Sequence, residues 1–210
     1  MKGFMGRLMP LWGLYLLVFG ALSLLFGDLE TGLLLSLGIL PFFILCRIRK
    51  DALCGWYYLA FTLPDGRRRT VRSYYTVNVL MLFSVLFVLF LILAVDALSV
   101  GDEASLACNL WILLMWFTVQ MLFSSMLLPV IISFFKRKWL CLTVTVIGTV
   151  LRGGMIFCLT VYLENTVALF DQNINATLIL GFGIAAAVAC MMYIASYLFA
   201  ASIMKKKELV

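Results

Sequence analysis

Six apolar runs restrict what this chain can fold into. They lie at 8–26, 32–46, 77–95, 106–135, 139–163 and 178–204. A helix needs about 20 such residues to cross the hydrocarbon of a bilayer. In lipid only helices and closed barrels satisfy every backbone polar group. The run at 32–46 is short, and that at 106–135 is long enough to overshoot the bilayer. The expected fold class is an all-α integral membrane protein with six transmembrane helices, residues 1–210 forming one transmembrane domain. Composition agrees. The chain is 65% hydrophobic and 12% charged, where a soluble domain carries about 25% charged residues. The first run lacks a small-residue cleavage site with a soluble domain behind it, and reads as a retained helix rather than a signal peptide.

The charges between the runs give an orientation. Lys2 and Arg7 precede the first run, and the connection after it holds only Asp28 and Glu30. The next, 47–76, carries Arg47, Arg49, Lys50, Arg67, Arg68, Arg69 and Arg72. Asp96, Asp102 and Glu103 follow without a base, then Lys136, Arg137 and Lys138. Glu164 and Asp171 come next, and Lys205, Lys206 and Lys207 close the chain. Basic and non-basic connections alternate without exception. Basic residues stay on the cytoplasmic side, so both termini are expected inside. Trp12, Trp56, Trp111 and Trp139 fall near span ends, where amphipathic rings prefer the interface. Trp116 lies deeper and reads as a packing residue.

Several chemistries are excluded. The sequence has no His and no G-x-x-x-x-G-K-[ST] phosphate loop, so it is not expected to be an enzyme or to hydrolyse ATP itself. No cofactor or metal is expected. Cys108, Cys141, Cys158 and Cys190 sit in apolar runs without C-x-x-C spacing, as core-filling thiols do. The net charge of +6 reflects basic inner loops rather than nucleic-acid binding. No carboxylate lies within a span interior, which counts against an ion-coupled secondary transporter. Asn175-Ala176-Thr177 is a glycosylation sequon of little weight.

The one sizeable cytoplasmic piece is the elbow at 47–76. Its first half, 51–63, is rich in Trp56, Tyr57, Tyr58 and Phe61, which suits an interfacial helix. Pro64-Asp65-Gly66 breaks it, and a basic helix then leads into the third span. Such a surface binds anionic lipid at the inner face.

Inside the spans, Arg152 is the one charge near mid-span, and Gln120 lies at comparable depth as a candidate acceptor. An intramembrane charge is expensive and faces the protein interior or a water-filled cavity. Arg152 and Gln120 therefore stand as a candidate translocation path or gate, with a purely structural Arg as the other reading. Gly153 and Gly154 beside it invite a helix break or close contact. Pro41 and Pro129 are expected to kink their helices. The last run is dense in Gly and Ala, which suits a helix at the centre of the fold or at a subunit interface.

Two stretches resemble the permease subunits of type-2 ATP-binding-cassette (ABC) exporters, the small six-span kind of Gram-positive bacteria. The first runs over 55–75, where Trp56, Leu63, Pro64, Arg67, Arg68, Val71, Ser73 and Tyr75 fall into the family's pattern. That pattern is a Trp, a Leu-Pro-x-x-Arg-[Lys/Arg] turn, then Val and Ser-x-Tyr. The second is Ser196-Tyr197 followed by Lys205-Lys206-Lys207-Glu208-Leu209. Asp65-Gly66 and Tyr74 depart from the usual residues of the turn. The resemblance implies a permease of a bacterial plasma membrane. It implies a homo- or heterodimer whose elbow docks a separate ATPase. The alternatives are a non-transporting scaffold or immunity-type protein, or a small secondary transporter.

Overall fold

The computed structural model describes residues 41–51, 53, 55, 62–63, 65–100, 103–134, 137–169 and 176–206. Every regular element among them is helical. In chain order these are α1 (41–51), α2 (Gly66–Val100), α3 (Glu103–Ser133), α4 (Lys138–Leu169) and α5 (Ala176–Lys206). Four of them, α2 to α5, are long and apolar enough to cross a membrane. They cover the expected spans at 77–95, 139–163 and 178–204, and 106–133 of the one at 106–135. The expected span at 8–26, and 32–40 of the second, lie outside the described residues.

At 31 to 35 residues these helices reach about 46–52 Å at 1.5 Å per residue. The hydrocarbon is only about 30 Å thick. Each helix therefore extends beyond it or tilts, and α2 does so with its charged end. Its first turns are Gly-Arg-Arg-Arg-Thr-Val-Arg, continuous with the apolar stretch behind them. The basic second half of the elbow is thus the beginning of the span itself.

The start of the elbow is helical. Helix α1 runs without interruption past Cys46 to Asp51, so the helix of the second run enters the elbow, and most of the expected interfacial helix at 51–63 lies outside the described residues. Two side-chain bonds hold the extension against α2. Arg47 Nη2 donates to Ser73 Oγ at 2.9 Å, and the Tyr74 hydroxyl donates to Asp51 Oδ2 at 2.8 Å. Beyond it, Gly55 takes φ 69°, a left-handed conformation that ends helices at little cost for glycine.

The turn before α2 is tight. Asp65 has φ 59°, while Gly66 N donates to Leu63 O and Arg69 N to Asp65 O, each at 3.0 Å. Among non-glycine residues Asp and Asn tolerate this conformation best. Asp65→Ile should therefore lower stability by about 1–2 kcal/mol. Asp65→Asn should be nearly silent. Unfolding in mixed micelles checks both.

Among the described helices α3 is central, packing against α2, α4 and α5. Of its membrane window 72% is buried, against 17% for α5. The small residues of α5 therefore do not place it at the centre of the described helices. One side of α5 packs on α3 and α2, and Ile184, Met191, Leu198 and Phe199 remain exposed. Among the described residues Gly153 and Gly154 make neither a break nor a close contact. α4 continues through them, and a Cβ on either would meet nothing within 4 Å. The close approach is at Gly148 instead, where a Cβ would stand 2.9 Å from Leu127 Cδ2 of α3. Trp116 is fully buried, as its depth suggests, and Trp139 is exposed at the start of α4.

Candidate functional site

Tyr75 and Ser196, 121 residues apart, join the two segments that resemble the exporter family. Their hydroxyl oxygens lie 2.7 Å apart. The Ser196 hydroxyl donates to the Ser125 carbonyl of α3. That uses its only hydrogen, so Tyr75 is the donor to Ser196. The Ser125 carbonyl is available for a reason. It would ordinarily accept from the backbone N–H four residues on, and that residue is Pro129, which has none. The proline thus opens an acceptor on α3, and a serine from α5 fills it. In a membrane, hydroxyl side chains commonly satisfy carbonyls freed in this way.

A second set of bonds lies beside the first. The Tyr193 hydroxyl donates to the Tyr75 carbonyl at 2.9 Å. Its oxygen accepts from Asn78 Nδ2, also at 2.9 Å. Tyr193 and Tyr197 both pack edge-on against Tyr75, with centroids 5.1 and 5.5 Å away. Tyr75, Asn78, Tyr193 and Ser196 are all buried. α2, α3 and α5 are consequently clasped together just inside the basic end of α2.

The family-like elbow residues fall into distinct positions. Val71 and Tyr75 are buried inside the chain. Ser73 receives Arg47. Arg67 Nη1 donates to the Lys205 carbonyl at 2.9 Å, where a basic side chain suits a helix C-terminus. Leu63 is 52% exposed, and Arg68 is exposed with Tyr197 within reach of its guanidinium. Trp56 and Pro64 lie outside the described residues. Asp51, beside this cluster, has its carboxyl pushed above the usual carboxylate range by burial. The Tyr74 hydrogen bond and the Arg47 and Lys50 charges oppose that shift.

Arg152 and Gln120 meet as their depths suggest. Arg152 Nη1 donates to Gln120 Oε1, and both side chains are buried. The guanidinium also lies over Phe123, 5.9 Å from its centroid, in cation–π range. Arg152 Nε and Nη2, Gln120 Nε2 and Asn78 Oδ1 have no hydrogen-bond partner among the described residues. A cavity of about 10 Å³ between Pro41, Ser124, Asn78 and Arg152 has the volume of about one water.

A larger opening lies among the described residues on this part of the surface. A groove of about 740 Å³ runs between α2 and α5, with Arg68, Arg69 and Arg72 at one end and Val79, Leu80 and Ile194 at the other. Sequence reading missed it, because it needs two helices 120 residues apart to be set side by side. The arginine spacing at 68, 69 and 72 was its only sequence signal. Cys46, Cys141, Cys158 and Cys190 are free thiols.

A family model for ABC-2 family transporter proteins matches residues 8–205. The chain belongs to that family. Neither the curated proteins nor the solved structures compared with it gave a match. The match spans nearly all of the sequence, including both segments joined at Tyr75 and Ser196. This ABC-2 protein is therefore a multi-pass membrane domain of the permease type, and its four long apolar helices are the architecture such a domain requires.

Proposed function

We propose that this chain is the membrane-spanning permease subunit of an ATP-driven exporter. In that reading it has six spans with both termini in the cytoplasm of a bacterial cell. It works as a homo- or heterodimer and draws its energy from a separate ATPase docked at the elbow. The family match supports the permease class. The observation that carries the coupling reading is the clasp at Tyr75. It makes the elbow end of α2 one body with α5 and ties it to α3. A push on the exposed Leu63 and Arg68 would move a continuous 35-residue helix and carry α5 with it. Leu and Arg side chains left exposed at a turn suit a protein partner.

Arg152 is better suited to bracing than to gating. It is 1% exposed and its guanidinium is held by Gln120 and lies over Phe123. The exposed apolar face of α5 is the surface offered to a second permease copy.

The test is purification of the full chain with its neighbouring genes expressed. A P-loop ATPase should co-purify. Leu63→Asp with Arg68→Glu should cut its recovery and its permease-dependent ATPase stimulation by about tenfold or more. Arg67 is left intact because its bond to Lys205 belongs to the fold. Absence of any ATPase, with the elbow variant behaving as wild type, would favour a non-transporting scaffold instead.

A further inference from the structure

We infer that the groove between α2 and α5 is a binding site for one anionic phospholipid. The inference deepens the reading above and rests on it in one respect, that the basic end of α2 lies at the inner membrane surface. The groove wall on α2 changes character along its length. Arg69, Arg72, Thr76, Val79 and Leu80 follow at helical spacing and line one side of it. They cover about 16 Å at 1.5 Å per residue. The sequence of chemistries is cation, hydroxyl, then alkyl. A phospholipid has the same order from phosphate through glycerol to acyl chain. On α5, Tyr197 lies toward the basic end, and Ile194 faces Leu80 toward the apolar end. The deep end is open sideways, with Leu80 58% and Ile194 60% exposed, as an acyl chain entering from the bilayer would need.

Charge argues against a second copy of the chain in this groove. Its rim holds three arginines against the single carboxylate of Asp65, and a two-fold partner would bring arginines onto arginines. An anionic headgroup meets complementary charge, and each basic residue near the surface adds roughly fivefold to anionic-lipid affinity. The volume of about 740 Å³ suits a headgroup with the upper part of one chain.

Lipid titration of the detergent-purified full chain, read by native mass spectrometry, tests this. One phosphatidylglycerol should bind per chain at least about tenfold more tightly than phosphatidylcholine. Arg69→Gln with Arg72→Gln should abolish the preference, and Ile194→Asp should weaken both lipids. Lys205→Gln with Lys206→Gln, exposed at the same end but off the groove, should change little. The inference is overturned if the arginine pair leaves the preference intact or if the lysine pair removes it equally. It is also overturned if soluble glycerophosphoglycerol competes as well as the whole lipid. ATPase recovery is read from the same preparations. In the wild-type preparation, no ATPase with clear lipid selectivity counts against the transport reading alone, and ATPase without lipid selectivity counts against the groove alone.

Discussion

Replacing Gln120 by Leu should destabilise the protein by about 3 kcal/mol, the cost of stripping the partner from a buried charge. Hydrogen bonds between neutral side chains in membrane helices are worth only about 0.6 kcal/mol on average. The larger figure applies here because Arg152 is charged and fully buried, and Gln120 is its sole hydrogen-bond acceptor among the described residues. The double variant Gln120→Leu with Arg152→Met should recover most of the loss, since no charge is then left without a partner. Unfolding of the three proteins in mixed micelles gives the comparison. A Gln120→Leu variant as stable as wild type would show that Arg152 is solvated by some other route. A double variant worse than either single would show that the two side chains do not act as a pair.

The second large effect concerns the carbonyl opened by Pro129. Ser196→Ala removes the hydroxyl that fills the Ser125 carbonyl and leaves the Tyr75 hydroxyl without its acceptor. Two buried polar groups lose their partner, at about 1–3 kcal/mol each for a full orphan. The expected loss is about 2 kcal/mol, because the Tyr75 hydroxyl can rotate. Adding Pro129→Ala should recover about 1 kcal/mol, since the new N–H at 129 can donate to the Ser125 carbonyl. In the wild-type background Pro129→Ala gains much less, as that carbonyl already has a donor. The pair is therefore predicted to be non-additive. Additive losses across the cycle would mean that the serine and the proline do not share the carbonyl.

The clasp also shows where residue-level reading stops. Ser73, Tyr75 and Ser196 stand out as members of a family pattern, but the pattern does not say that Tyr75 and Ser196 touch. Pro129 reads as a helix kink, and that reading does not say that the carbonyl it frees takes a hydrogen bond from another helix. The Arg152–Gln120 contact was legible because polar side chains buried in lipid have few alternatives to one another. Gly153 and Gly154 misled, because glycine permits close approach without requiring it. Gly148, isolated among β-branched residues, is the described glycine of α4 where an added Cβ would crowd α3.

The sequence by itself determined the membrane class, the positions of the four long helices and the basic character of the α2 terminus. These depend on local hydropathy and charge, which act one segment at a time. Tertiary structure decided which helix is central, which elbow residues are buried and which remain exposed, and that a groove lies beside Arg69 and Arg72. In a bilayer every span is apolar on all sides, so periodicity carries no signal of which face meets which neighbour. That choice rests on close packing and on a few buried hydrogen bonds, and both exist only once the helices are side by side.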